Sequence, residues 1–497
     1  MRLQIYRNPF RIDDWRNREA VLVSRVAGRH QPLSSKSASR MGKALETYRR
    51  EFLQKFSGIG ALAASAGIFR GDGGSTLSPN SPPARNQTLA QLDSLREQFP
   101  ALGERVNGHP LVYLDSAAST QRPRAVLDAL TSFYLHDNAN PAKSLHTLAR
   151  RSATQYEKAR GAVARFLNAR GPEEIVWTRG TTEAINLVAS SWGGRNLGPG
   201  DEIILTVSEH YSSLVPWQLA AKRAAARVRI LDVEDDGRLR LDQLHTLLSE
   251  RTKLVALPHV SNVLGLINPV REICERAHRV GALVLVDGAQ SVPHFSVDVQ
   301  ELGCDFLAFS GHKMLGPMGI GVLCARREIL DHMPPYQGGS NMAHDVEIEP
   351  APTHFAEGGL KFEAGTPNVP GAVGLAAAVE FLESLDRKAL WKREQDLTRY
   401  ALSRLREVKG LRILGPTESK DRISVFSFVM ENGRTLEVVK ALDAMGIAVR
   451  GGDLAGLPLL KRMGVTEAVR ASCYAYTTAQ EVDLLVAALQ EERHGLS

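Results

Sequence analysis

Cysteine is scarce in this chain of 497 residues: only Cys274, Cys304, Cys324 and Cys473 are present. None stands in a CxxC pair, so neither a disulfide framework nor a zinc centre is implied. Nor is there a run of about 18 apolar residues, the length an ordinary membrane-spanning helix needs. A hydrophobic fraction of 43% with 23% charged residues excludes overall disorder and fibrous repeats. The one imbalance is a net charge of +6, and it is local: residues 1–90 carry 15 Lys+Arg against 6 Asp+Glu, which leaves the rest of the chain mildly acidic. A basic excess confined to one end does not describe a nucleic-acid-binding surface on the body.

That basic end reads as a leader. Arg49-Arg50-Glu51-Phe52-Leu53 precedes a weakly apolar stretch from Phe56 to Ile68 that contains Ala64-Ser65-Ala66, a small-residue cleavage pattern. The paired arginines followed by Phe-Leu resemble a twin-arginine export signal over about residues 41–66. That resemblance implies the twin-arginine machinery as a partner and a periplasmic or exported location, a cytoplasmic one being the alternative. Translation from Met41 would give such a signal a normal basic segment. Gly71 to Arg85 is rich in Gly, Ser and Pro and reads as a flexible tether.

From Val112 onward, short apolar runs alternate with helical periodicity. Expected strands are 174–177, 202–206, 227–233, 254–257, 283–286, 306–309 and 321–324; expected helices include 181–191, 241–249, 270–280 and 372–384. Such alternation predicts an α/β fold with a largely parallel sheet covered by helices on both faces. Four segments are expected: the leader and tether (1–90), a segment packing with the smaller domain (91–111), a large α/β domain (112–382) and a smaller α+β domain (383–497).

Ligands of open α/β sheets bind beyond the carboxyl ends of the strands, which makes the residues after each strand informative. After Trp177 comes Gly180-Thr181-Thr182 at a helix start, a turn suited to a phosphate. The run Leu283–Val286 ends in Asp287-Gly288-Ala289-Gln290, an acid able to neutralise a cationic ring nitrogen and an amide able to donate to a phenolate. Phe306–Phe309 is followed by Ser310-Gly311-His312-Lys313, and a desolvated lysine there suits imine formation. Phosphate cup, acid and lysine together are what pyridoxal 5'-phosphate requires.

Several stretches resemble the class V aminotransferases of pyridoxal-phosphate fold type I, most closely the group II cysteine desulfurase and selenocysteine lyase branch. They are Tyr113–Thr120 (YLDSAAST), Arg179–Ala189 (RGTTEAINLVA), Ser208–Trp217 (SEHYSSLVPW), Val286–His294 (VDGAQSVPH), Phe309–Leu323 (FSGHKMLGPMGIGVL), Phe362–Asn368 (FEAGTPN) and Val469–Ser472 (VRAS). The resemblance implies that Lys313 carries the cofactor covalently and moves a proton at the substrate Cα. It implies that Asp287 holds the ring nitrogen protonated, that His210 stacks on the ring and takes a catalytic part in acid/base steps, and that Gln290 contacts the ring oxygen. Thr181, Thr182, Ser310 and His312 would hold the phosphate, with Thr366 reaching the phosphate of a second subunit in a homodimer. Asn262 and Arg470 would hold the substrate carboxylate, with Ala117 and Ala118 lining that end.

Two departures stand against that pattern. Where desulfurases of this branch read R-T-G-H-H-C-A-M-P, this chain reads Arg450-Gly451-Gly452-Asp453-Leu454-Ala455-Gly456-Leu457-Pro458, so Ala455 occupies the place of the sulfur-accepting cysteine. The family's active-site His-Arg pair reads here Ala142-Lys143. The expectation is therefore an enzyme acting on an amino acid by Cβ lyase-type chemistry, with a cysteine-, selenocysteine- or cysteine sulfinate-like substrate and no persulfide transfer. The alternatives are a Cα epimerase and a non-catalytic cofactor-binding dimer.

Overall fold

A computed structural model describes residues 94–495 apart from 142–144, 345, 347, 349–352 and 432–433. The expected export signal and tether, and the Ala142-Lys143 departure, lie outside the described residues. The described residues fall within one compact unit.

At its centre is a seven-stranded sheet. Its strands in chain order are β1 (Ile175–Thr178), β2 (Glu202–Thr206), β3 (Arg227–Leu231), β4 (Thr252–Pro258), β5 (Leu283–Asp287), β6 (Phe306–Ser310) and β7 (Gly321–Ala325). They are arranged in the order β1-β7-β6-β5-β4-β2-β3, and only β7 runs antiparallel to its neighbours. Buried on both faces, β6 is apolar until its last residue, as a central parallel strand should be. Its alternate residues feed two separate cores: Phe306 and Ala308 pack on one face, Leu307 and Phe309 on the other. Each fully buried Phe contributes roughly 1.5–3 kcal/mol of transfer free energy, enough to hold the strand end that carries the site.

Helices α1 (Arg124–His136) and α2 (Thr147–Phe166) precede the sheet; α3 (Thr181–Asn196) follows β1, α4 (Tyr211–Ala224) follows β2, and α5 (Val270–His278) links β4 to β5. Helix α6 (Val369–Glu383) packs on α1 and α2. Helix α7 (Arg387–Leu405) then opens the smaller part, a four-stranded antiparallel sheet of β8 (Leu411–Ile413), β9 (Val425–Met430), β10 (Arg450–Gly452) and β11 (Ala468–Ser472), in the order β8-β9-β11-β10. Val112 and Leu114 pack in the core of this smaller part, and Val112–Tyr113 pairs in parallel with Ile447–Ala448. The segment before them is tied there as well: Arg96 meets Glu481 at 2.9 Å.

The two parts are joined by buried polar contacts. Glu394 Oε1 of α7 lies 2.7 Å from His294 Nδ1 and accepts from the Ser424 hydroxyl at 2.8 Å. Arg422, fully buried, donates to the carbonyls of Leu264 and Val425. A buried charge of this kind is tolerated only when hydrogen-bonded. These ties set β10 and β11 against the carboxyl ends of β4 and β5.

Candidate active site

A cleft of about 460 Å³ opens at that junction. Ala117, Ala118, Thr181, Thr182, His210, Asn262, Asp287, Gln290, Ser310, His312, Lys313 and Arg470 all line it. Twelve residues chosen from sequence thus converge on one cavity. Thr366 does not join them: it is exposed, and its hydroxyl accepts from Asn140 Nδ2 at 3.2 Å.

The end of the cleft where a phosphate is expected is built from backbone. Gly180 caps α3 with φ of 155°, and a Cβ there would lie 3.1 Å from Ser310 Oγ. Gly321 on β7 is equally constrained, since a Cβ would fall 2.4 Å from the Gly180 Cα. This close approach brings Ser310 Oγ to accept from Thr181 N–H at 2.8 Å and to share a hydrogen bond with Thr181 Oγ1 at 2.7 Å. Thr182 Oγ1 shares another with Ser212 Oγ at 2.7 Å. Hydroxyls and helix N–H groups gathered at one N-terminus form an anion site.

Deeper in the cleft, Asp287 ends β5 and accepts from the Ala289 N–H at 2.9 Å. Burial pushes its carboxyl above the usual range, while Lys313 and the Ala289 N–H pull it back. Lys313 ends a short turn after β6, and burial lowers its ammonium from 10.5 to about 8 against the opposing pull of Asp287. His210 falls to about 4, first by burial and then by the nearby positive charges of Lys313 and Arg470. It is therefore neutral at pH 7, and because Nδ1 accepts from Ser212 N–H at 3.0 Å its proton sits on Nε2. His312 is likewise lowered to about 4 by burial and by Lys313. Gln290 sends one amide hydrogen to Ala117 O at 2.7 Å.

At the opposite wall Arg470 is 3% exposed. Its Nη1 donates to Asn262 O at 3.0 Å, and Nη2 lies 3.5 Å from Asp115. The Asn262 amide donates in turn to Leu454 O at 2.8 Å. Arg450 also lines the cleft and grips the same Asp115 at 2.7 Å. Sequence reasoning passed over Asp115 and Arg450 as site residues. The available signal was Asp115 itself, an acid two positions before Ala117 in the YLDSAAST stretch.

The Asp453–Ala455 segment, which also lines the cleft, is fastened to α4. Tyr211 N–H donates to Ala455 O at 3.0 Å, and the Tyr211 hydroxyl donates to Asp453 Oδ2 at 2.7 Å. Asp453 Oδ1 accepts from Ala455 N–H at 3.0 Å, and Leu454 and Ala455 both take a left-handed φ of 52°. None of the four cysteines lines this cleft; all are buried, and burial raises every thiol, that of Cys274 to about 12.

Comparison with known sequences decides the family. The sequence model of class V aminotransferases matches residues 112–485. The chain belongs to the class V aminotransferase family. Class V enzymes depend on pyridoxal phosphate, and the buried acid, the depressed lysine and the hydroxyl-lined helix start fit that cofactor. Among relatives of this class V enzyme, a probable cysteine desulfurase of Halalkalibacterium halodurans is 47% identical over 399 residues, covering 80% of this chain and 97% of that one. A cysteine desulfurase of Synechococcus elongatus is 47% identical over 404 residues, 81% of this chain but 64% of that protein. The crystal structure of the Escherichia coli cysteine desulfurase CsdA, in an S-sulfonic acid form, matches with a TM-score of 0.75 at 39% identity, covering 82% of this chain and 99% of that one. The class V enzyme is thus cysteine desulfurase-like in sequence and in fold.

Proposed function

We propose that this class V enzyme acts on a cysteine-like amino acid, breaks the bond from Cβ to its sulfur or selenium substituent, and releases the leaving group without passing it to an enzyme thiol. The observation that carries this reading is a cleft lined by Lys313, Asp287, the hydroxyl-bearing helix start and Ala455, with all four cysteines buried away from it. An alanine methyl cannot attack a substrate sulfur, and a buried thiol far above neutral pH is not nucleophilic.

Bound pyridoxal phosphate supplies an electron sink for the carbanion that forms at Cα. The chain's own residues do the rest. Thr181, Thr182, Ser212, Ser310 and the α3 N-terminus would hold the phosphate, and the buried carboxyl of Asp287 would pair with the ring nitrogen. Arg470, held by Asn262 O and Asp115, orients the substrate carboxylate. Lys313, neutral in part near pH 8, takes the Cα proton. Neutral His210, with its proton on Nε2, donates toward the departing group. That group leaves with the bonding electron pair, as sulfide or selenide, and takes up a proton, while the pair released at Cα forms the Cα–Cβ double bond of an enamine that water converts to pyruvate and ammonia. Thr366, outside the cleft of its own chain, would reach the phosphate site of a second copy in a dimer.

The test is product analysis of holoenzyme incubated with cysteine, selenocysteine or cysteine sulfinate, following alanine, pyruvate and the released sulfur or selenium species. The reading expects turnover that yields free sulfide or selenide, and its loss, together with the visible cofactor absorbance, in Lys313→Ala. Accumulation of an enzyme-bound persulfide during turnover of cysteine would overturn it.

A further inference from the structure

Next in the chain to His210 stands Glu209, a carboxyl only 1% exposed. Its Oε1 accepts two hydrogen bonds, from Thr206 N–H at 3.2 Å and from the Thr206 hydroxyl at 2.8 Å. That hydroxyl shares a further bond with Ser208 Oγ at 2.9 Å. Glu209 N–H closes the turn on Thr206 O at 3.4 Å. One side chain thus fastens the turn that leaves β2, and the residue this turn presents is His210, whose Nδ1 caps α4 through Ser212 N–H. Glu209 does not itself line the cleft; it holds the turn that does.

The other oxygen of Glu209 stands differently. Oε2 is buried and has no hydrogen-bond partner among the described residues, and the same holds for Ser213 Oγ, which lies beside it from one helical turn further on. The charge that bears on this carboxyl is that of Asp287, across β4, and it has the same sign. A buried carboxylate with one bare oxygen, no cation and a second anion nearby is strongly disfavoured. A neutral acid removes the conflict. Oε1, with its two donors, takes the carbonyl role, and Oε2 carries the proton next to a hydroxyl oxygen able to accept it. Burial accordingly raises this carboxyl to about 8, against the opposing hydrogen bonds of Ser213 and Thr206.

We propose that Glu209 is a positioning residue that works as a neutral acid: its protonated carboxyl clamps the turn that presents His210 and spares Asp287 a second negative charge beside it. The proposal rests on the reading of this cleft as a pyridoxal-phosphate site. Glu209 touches neither substrate nor cofactor. It acts through His210, whose Nε2 proton goes toward the departing group, and through Asp287, whose charge is left for the ring nitrogen. The groups that face it are the hydroxyls of Thr206 and Ser213, the neutral imidazole of His210 and the carboxyl of Asp287. Raising the pH through about 8 passes the Oε2 proton to solvent and sets two buried anions against each other, so the clamp weakens on the alkaline side.

Two measurements test this. Infrared difference spectroscopy of the full-length apoenzyme reads the proton directly. Wild type should show one carbonyl band of a protonated carboxylic acid at pH 6 that is lost by about pH 10 and is absent from Glu209→Gln. Thr206→Val, which removes a hydroxyl from Oε1 and keeps the acid, should shift that band without abolishing it. Steady-state kinetics of holoenzyme with cysteine read the positioning. Glu209→Ala should lower kcat roughly tenfold to a hundredfold with little change in KM, and Glu209→Gln, which keeps a neutral acceptor in place, should recover most of the loss. Where Glu209→Ala does not fold, Thr206→Val takes its place in the comparison and should lower kcat in the same sense. Identical infrared spectra of wild type and Glu209→Gln overturn the proposal, as does a kcat loss in Glu209→Gln equal to that of Glu209→Ala with the visible cofactor band intact. A wild-type protein that gains no visible band with pyridoxal phosphate overturns instead the cofactor reading on which the proposal rests.

Discussion

The depressed ammonium of Lys313 makes a quantitative prediction about cofactor capture. Burial beside Arg470 and Arg450 lowers it from 10.5 to about 8, with Asp287 and Asp115 opposing the fall. At pH 7 about one molecule in ten then holds the neutral amine, against roughly one in three thousand for an ordinary lysine. Only the neutral amine attacks an aldehyde, so the apoenzyme should capture pyridoxal phosphate about 300-fold faster at pH 7 than a solvent-exposed lysine would allow. The sign follows from the charge lost. Below about pH 8 the rate should rise about tenfold per pH unit, and above it the rate should level off. The assay is removal of the cofactor, addition of pyridoxal phosphate at a series of pH values, and the growth of visible absorbance with time. Asp287→Asn removes a carboxylate that favours the charged amine, so its inflection should lie lower than that of the wild type. A rate that keeps climbing past pH 10 would refute the reasoning, because it would mean that the lysine behaves as an exposed one.

Two further outcomes follow from buried groups. Glu209, 1% exposed and bonded to Thr206, is raised by burial to about 8; the folded state therefore binds more protons than the unfolded one from about pH 4.5 to 8, and this group erodes stability as pH rises through that window. Glu209→Gln should flatten that part of the pH dependence of denaturant unfolding, and an unchanged slope would contradict it. Ala455→Cys places a thiol in the cleft at a left-handed residue, at a modest cost in stability, and should make a bound persulfide detectable by alkylation and mass spectrometry after cysteine turnover.

Strand-end chemistry was readable because β5 and β6 are buried on both faces: an unbroken apolar run ending at Asp287 or Ser310 announces both the strand and the site. Element ends slipped where side chains redirect the backbone. The strand expected to reach Val233 stops at Leu231, because Asp232 Oδ1 accepts from Val233 N–H at 2.8 Å and starts a turn. The helix expected to reach Val280 stops at His278, closed by Gly281 at a φ of 77° and by Ala282 N–H on Ala277 O. Glu174, expected in a strand, closes a short turn instead and caps Arg170 N–H. Asp115 was not readable as a site residue because its arginine partners lie more than 300 residues away and only the smaller sheet brings them back. The left-handed pair Leu454-Ala455 carried no glycine or asparagine to mark it, since the three large-domain bonds on that segment enforce what local propensity does not.

Those three bonds bear on chemistry as well as on shape. A residue that accepts sulfur must approach the substrate Cβ substituent and then withdraw with its cargo, so the segment bearing it needs freedom to move. Here Tyr211 grips the segment at Ala455 O and at Asp453, and Asn262 grips it at Leu454 O. Asn262 O in turn accepts from Arg470, so displacing the segment would disturb that arginine as well. Each neutral bond contributes roughly 1 kcal/mol, and the one to Asp453 somewhat more, so release would cost several kcal/mol in a cleft that must also keep its arginine in place. A segment tied in this way and lacking a thiol is a wall rather than a carrier. A leaving group released in this cleft then meets no thiol on the segment that could take it up.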